Sequence, residues 1–253
     1  MYDQHMHDAL GMINLKSSGV SIYFQNQGQK GLAGPKSEDV NSFKTFIVFG
    51  VPRGGTTMVA RVVESLGVNL GSDLPANYED TDFNFDFLSK DLKKSRPALI
   101  EQLSKVIDQR NQDLDVWGWK YPRAAIYLIP LLKKLRNPHL ICVMRDPISS
   151  GIRNMKRAQK IHKKSLSKAD FVPESNCADI PSRIITQHLE IQLKNMRTIQ
   201  QASCPSFLCS YEKAIMNTDD FVREMAEFLD VSSTEQQIQD AIHQVKPGGY
   251  MQV

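Results

Sequence analysis

The stretch Phe43-Lys44-Thr45-Phe46-Ile47-Val48-Phe49-Gly50-Val51-Pro52-Arg53-Gly54-Gly55-Thr56-Thr57 decides the fold. Phe43 to Phe49 is largely apolar and β-prone, and its continuous apolarity predicts a strand buried on both faces, as in a parallel sheet. From Thr57 the pattern turns helical: Val59, Val62, Val63 and Leu66 recur at three- and four-residue spacing, and Gly67 closes the run. Between them, Gly50 to Thr57 is a turn whose glycines let the backbone bend sharply and approach an anion. The first amides of the helix and its dipole add positive charge there. The unit is built to hold a phosphate or sulfate.

Working outward, further β-like runs at Asp115 to Lys120, Leu140 to Met144 and Ser206 to Ser210 are each followed by a helical pattern. This alternation predicts an α/β domain of three layers, a central parallel β-sheet flanked by helices. Late in the chain Phe221, Val222, Met225, Phe228 and Leu229 form one apolar stripe. Ser233 with Gln236 reads as a capping box opening the next helix. Residues 1–40 are polar and Gly-rich with one β-like run, Val20 to Phe24, and read as a flexible N-terminal extension. Residues 41–253 read as a single domain.

Composition narrows the class. With 253 residues, 41% hydrophobic and 23% charged, the chain is neither disordered, nor collagen-like, nor a disulfide scaffold. A net charge of +3 requires neither nucleic acid nor a membrane as partner. Cys142, Cys177, Cys204 and Cys209 contain no CxxC and no zinc-finger spacing, so no metal is expected and a reduced intracellular protein is. No apolar stretch approaches the roughly 20 residues that span a bilayer, and residues 1–40 lack the core of a secretory signal.

Against the Walker pattern GxxxxGK[ST], Gly50, Gly55 and Thr57 fit, but Thr56 stands where the lysine belongs. In nucleotide triphosphatases that lysine neutralises the β and γ phosphates and the final hydroxyl holds magnesium. Here the positive charge has moved to Arg53, which suits a transferred group handled without a metal better than ATP hydrolysis. A P-loop kinase with a degenerate Walker motif, using Asp146 to hold magnesium, is the second reading.

Pro52-Arg53-Gly54-Gly55-Thr56-Thr57 resembles the 5′-phosphosulfate loop of sulfotransferases that use 3′-phosphoadenosine 5′-phosphosulfate (PAPS), which commonly reads PRSGTT in carbohydrate and tyrosylprotein members. Leu140-Ile141-Cys142-Val143-Met144-Arg145-Asp146-Pro147 resembles the strand and turn carrying that family's 3′-phosphate-binding arginine. Gly118-Trp119-Lys120-Tyr121-Pro122-Arg123 is similar to its K-x-P segment, which sets a lysine near the sulfuryl group. Tyr211-Glu212 is similar to its YE pair, whose tyrosine lies near the cofactor nucleotide. The resemblance runs from about Phe43 to Leu229 and implies a P-loop-type fold. It also implies PAPS as cofactor and contacts from Arg53, Gly54, Gly55, Thr56, Thr57, Arg145 and Tyr211. Where the family places a second 3′-phosphate ligand, a serine, this chain has Arg153. Its guanidinium, or Ser149 or Ser150, would take that part.

Sulfuryl transfer aligns acceptor oxygen, sulfur and leaving oxygen, so catalysis is mainly positioning and electrostatic stabilisation. Arg53, the amides of Gly54 to Thr57 and Lys120 are the expected donors. The acceptor hydroxyl also needs a base, and the resemblance places it after the first helix, in Asn77-Tyr78-Glu79-Asp80-Thr81-Asp82-Phe83-Asn84-Phe85-Asp86. Glu79 is favoured and Asp80 is second, against the reading that these acids only solvate a loop. His162 and His188 are the rival bases. His188 shares a helical face with Ile184, Ile185 and Ile191, which marks a packed histidine, while His162 sits among Lys160, Lys163 and Lys164.

From Arg153 to Lys168 the chain carries seven Lys or Arg residues and no acid. That is either a solvated helix face or a surface attracting PAPS or an anionic acceptor. Without interleaved aromatics it does not suggest nucleic acid. The PRxGTT form and the K-x-P segment imply a hydroxyl acceptor on a carbohydrate or glycolipid. With no membrane anchor in this chain, they imply a bacterial cytoplasmic enzyme. A catalytically silent nucleotide-binding module is the remaining alternative.

Overall fold

In a parallel sheet covered on both sides, alternate residues of one strand must feed two separate cores. The computed structural model, which describes residues 13–17, 20–26, 42–91, 95–151 and 179–246, shows this in β3 (Lys44–Gly50). Phe46 and Val48 enter one core, Ile47 and Phe49 the other, and all four are fully buried. At about 1.5–3 kcal/mol per buried large apolar side chain, this strand is a principal source of stability.

The remaining strands are β1 (Ile13–Ser17), β2 (Ser21–Asn26), β4 (Val116–Lys120), β5 (Pro138–Met144) and β6 (Ser206–Ser210), in the sheet order β1-β2-β6-β5-β3-β4. From β6 to β4 all neighbours are parallel. The β1–β2 hairpin adds antiparallel to β6, with Ser21 opposite Cys209. So where the sequence suggested one strand before residue 40, there are two. Val20 and Ser21 are buried.

Helices cover both faces. The Phe46 face packs on α1 (Thr56–Ser65) and, near the C-terminus, on α7 (Thr218–Leu229) and α8 (Glu235–Gln244). The stripe Phe221, Val222, Met225, Phe228 and Leu229 lies wholly in that core. The Ile47 face packs on α2 (Phe85–Asp91), α3 (Arg96–Asp113), the short α4 (Leu128–Leu131) and α5 (Asp179–Ala202); α6 (Tyr211–Met216) follows β6 directly. The architecture is the expected three-layer α/β arrangement, extended by the hairpin. No helix among the described residues is long and apolar enough to cross a membrane.

The capping box of α8 lies one residue later than expected. Thr234 is the N-cap and exchanges hydrogen bonds with Gln237. Ser233 fits the same pattern, but its hydroxyl donates to the Leu66 carbonyl at 2.8 Å and is taken.

His139 of β5 is buried between Phe46 and Phe228, with ring centroids 5.2 and 5.7 Å away, and its Nδ1 lies 2.8 Å from the Asn137 carbonyl. Burial, aided by nearby Lys44, lowers its pKa from an ordinary 6.5 to about 4. As pH falls through that window the unfolded chain binds a proton here that the folded chain refuses, so stability drops, by about 3 kcal/mol at the acid end. Urea unfolding near pH 7 and pH 4.5 should show this loss, and His139→Leu should lose less. Equal losses in both proteins would clear His139 of the effect.

Candidate active site

Parallel strands that end at one edge deliver their following loops to a common crevice. β3, β4, β5 and β6 do so here, bringing the glycine turn, Lys120, Arg145 and Tyr211 to the same end of the sheet.

After β3 the chain turns with the Gly54 amide donating to the Val51 carbonyl at 2.8 Å. That amide closes the turn and leaves the expected donor set. Gly55 is the N-cap of α1 at φ 98°, and a β-carbon there would run into the ring of Tyr211. Only glycine meets both demands. Arg53 also holds a left-handed backbone, φ 67°, which puts strain of order 1–3 kcal/mol into this turn. Helix geometry leaves the amides of Gly55, Thr56, Thr57 and Met58 without a carbonyl one turn back to accept them. No acid stands in the first turn to compete for their field.

The turn opens on a cleft of about 570 Å³ lined by Arg53, Gly55, Thr56, Thr57, Glu79, Lys120 and Tyr211. Among the described residues Arg61, Arg123 and Lys246 bring its cations to five, against the two carboxylates of Glu79 and Asp86. Such a balance favours anions.

Strand alternation sets Lys120. Trp117 and Trp119 of β4 belong to the Ile47 core, so Lys120 leaves on the other face, beside α1. Its Nζ, almost wholly buried, donates to the Asn77 carbonyl at 2.9 Å and to Glu79 Oε1 at 3.2 Å, and lies 3.5 Å from Thr57 Oγ1. Burial holds its pKa below the ordinary lysine range. Glu79 opposes that shift and Arg53 adds to it.

β4 is the edge strand, and residues 78–84 wrap around it. Glu79 meets Lys120 on one side, while Phe83 stacks on Trp119 at 4.1 Å on the other. Tyr127 donates its hydroxyl to the Phe83 carbonyl at 2.8 Å and clamps the far end. The second Glu79 oxygen accepts from Asn84 Nδ2 at 3.1 Å. Thus Glu79, 23% exposed, is held at the cleft by donors on both oxygens.

Asp80, the second candidate base, goes elsewhere. It is buried, its carboxylate lies 2.6 Å from Arg110 Nη1, and its other oxygen accepts the Asp82 amide at 3.0 Å. It does not line the cleft. As neighbours in an extended turn, Glu79 and Asp80 face apart, so Asp80 anchors the loop that presents Glu79.

Arg145 is buried, its guanidinium 4.2 Å over the Tyr211 ring, with Nη1 donating to the Arg53 carbonyl at 3.1 Å and Nε 3.5 Å from Glu212. It braces the turn from behind and stands beside the cleft lining. Ser150 is buried, its Oγ 2.7 Å from Nδ1 of His188, which is buried as expected. Burial lowers the His188 pKa. Ser149 is exposed, and its amide donates to Asp146 at 2.7 Å. Arg153, His162, Cys177 and the basic run to Lys168 lie outside the described residues.

Sequence reading gave no role to Asn77, Asn84, Arg61, Arg123 and Lys246, and held Asp86 only as one acid of the loop. Asn77 acts through its carbonyl, which no side chain advertises. The others come together only by packing. Among the described residues no group of three or more His, Cys, Asp or Glu side chains is fit to hold a metal.

A family model described as a sulfotransferase domain matches residues 43–246. Among solved structures the chain is similar to sulfotransferase STF9 from Mycobacterium avium, at 17% identity and TM-score 0.51, covering 83% of this chain and 71% of that one. It is also similar to mouse sulfotransferase SULT7A1 complexed with PAP, at 11% identity and TM-score 0.49, covering 93% and 75%. At such identities the likeness concerns the fold. No curated relative matches the chain.

Proposed function

The chain belongs to the sulfotransferase domain family, and on that premise we propose that it moves a sulfuryl group from PAPS to an acceptor hydroxyl of a carbohydrate or glycolipid. One observation carries the reading: a buried lysine, a carboxylate and the free amides of a helix N-terminus converge on one cationic cleft. The cleft also suits an anion because Arg53 and Arg61 both line it.

Arg53, Lys120 and the amides of Gly55, Thr56 and Thr57 would hold the sulfuryl oxygens and the 5′-phosphate. Arg145 and Tyr211, with Ser149 or Ser150, are the described residues that would take the nucleotide and its 3′-phosphate. Bound there, PAPS supplies the sulfuryl group: a bond forms from acceptor oxygen to sulfur, the bond from sulfur to the phosphate oxygen breaks, and adenosine 3′,5′-bisphosphate leaves. Glu79 takes the acceptor proton. Lys120 and Arg53 stabilise charge on the equatorial and leaving oxygens, a role worth about 3–4 kcal/mol for a well-placed donor.

Calorimetry with adenosine 3′,5′-bisphosphate beside ATP and magnesium tests the assignment. Bisphosphate should bind at micromolar concentration without metal, ATP far more weakly, and Arg53→Ala and Arg145→Ala should each weaken the bisphosphate signal. Magnesium-dependent ATP binding with no bisphosphate signal would promote the kinase alternative instead.

A further inference from the structure

A second cavity, of about 790 Å³, opens beside the sulfuryl cleft. Its wall is apolar, built from Leu88 of α2, Leu99 of α3 and Ile129 of α4, among others. Among the described residues four cations, Arg96, Arg123, Lys194 and Arg197, complete the lining, and no Asp or Glu does. An apolar hollow with a few convergent charged groups is the usual form of a small-molecule site.

The four cations differ in what they are free to do. Arg96 donates to the Ile126 carbonyl at 3.0 Å and serves the wall. Arg123 lines both cavities and pairs with Asp86 at 2.8 Å, a half-exposed contact that forms the boundary between them. Such an exposed pair holds weakly and can part around a ligand. Lys194 and Arg197 lie three residues apart on α5, share one helical face at the rim, are exposed, and have no ionic partner among the described residues. Two unpaired cations at the mouth of an apolar hollow complement an anionic group on an apolar body.

We propose that the acceptor is an amphipathic anion. Its hydroxyl reaches Glu79 and Lys120, its apolar body passes the Arg123–Asp86 boundary into the second cavity, and its acidic group meets Lys194 and Arg197. The proposal rests on the sulfotransferase reading and narrows its carbohydrate or glycolipid acceptor to one bearing both an apolar segment and an acid.

The test uses the full chain with ω-hydroxydodecanoate, dodecanol, ω-hydroxydodecylammonium and glucose as probes. Calorimetric affinity is measured with and without adenosine 3′,5′-bisphosphate, and sulfated product from PAPS by mass. The hydroxy acid should bind roughly ten-fold tighter than dodecanol at low salt, lose that margin at high salt, and become sulfated; glucose should do neither. In the Lys194→Glu/Arg197→Glu variant the hydroxy acid should weaken roughly ten-fold and the ammonium probe should gain, while bisphosphate still binds. Both changes are at exposed, unpaired side chains, and retained bisphosphate binding reports a folded protein. Equal affinity for acid and alcohol, no effect of charge reversal, or binding without sulfation would overturn the proposal. Loss of the bisphosphate signal in the wild-type protein would instead remove the sulfotransferase reading, with amphiphile binding still judging the cavity on its own.

Discussion

Replacing Glu79 with glutamine should lower kcat by about a hundred- to ten-thousand-fold, the usual share of a positioned base, while bisphosphate affinity stays close to that of the wild type. Glutamine keeps the shape and can still accept from Lys120 or Asn84, so the loop around β4 should hold. Glu79 has, however, a second effect: it stands 3.2 Å from a buried ammonium and supports that charge. Without it, Lys120 would lose its proton at a lower pH, and turnover would fall even if Glu79 never touched the acceptor. Acid separates the two roles. If Glu79 is only a counter-ion, lowering the pH reprotonates Lys120 and restores the variant; if Glu79 is the base, acid restores nothing. Full turnover by Glu79→Gln at all pH values would remove it from both roles, and Asp86, the other carboxylate of the cleft, would be changed next.

Lys120→Met should cost about a hundred- to a thousand-fold in kcat, since it removes one fixed cation from a water-poor site while keeping most of the side-chain volume. The pH profile gives a sharper check. Burial is the largest influence on Lys120 and lowers its pKa. As pH rises, the wild-type kcat/KM should therefore decline below the 10.5 of an ordinary lysine, as the free enzyme loses this charge. Lys120→Arg stays charged through that range and should move the decline to higher pH, and Lys120→Met should lack it. An alkaline limb unchanged in Lys120→Met would assign it to another group, with Lys246 at the cleft the first to test.

Much of this candidate site is legible in the sequence. Gly50 to Thr57, Lys120 and Tyr211 each stand in a short segment at the end of a strand whose apolar run is plain, and strand ends are where a parallel sheet gathers its loops. The departures have local causes. Gly54 spends its amide within the turn, because a chain reversing at Val51 needs that hydrogen bond to close. Thr234 rather than Ser233 caps α8, because the Ser233 hydroxyl is drawn to the end of α1. Neither choice leaves a mark in residue spacing.

The acid loop shows the division most clearly. The resemblance put the expected base in the segment from Asn77 to Asp86 and favoured Glu79 over Asp80, but the order of its four carboxylates does not say which of them reach the cleft. Packing does: Arg110 of α3 captures Asp80, the stack of Phe83 on Trp119 fixes the loop, and Glu79 is left facing Lys120. The strand-turn-helix unit is encoded by neighbours in sequence, since turn conformation, amide direction and apolar period are all set within a few residues. Which carboxylates face the cleft, and which cations rim the cavity that runs from α2 to α5, depend on side chains many residues apart. Those choices follow from how helices settle on each face of the sheet, and only the folded chain makes them.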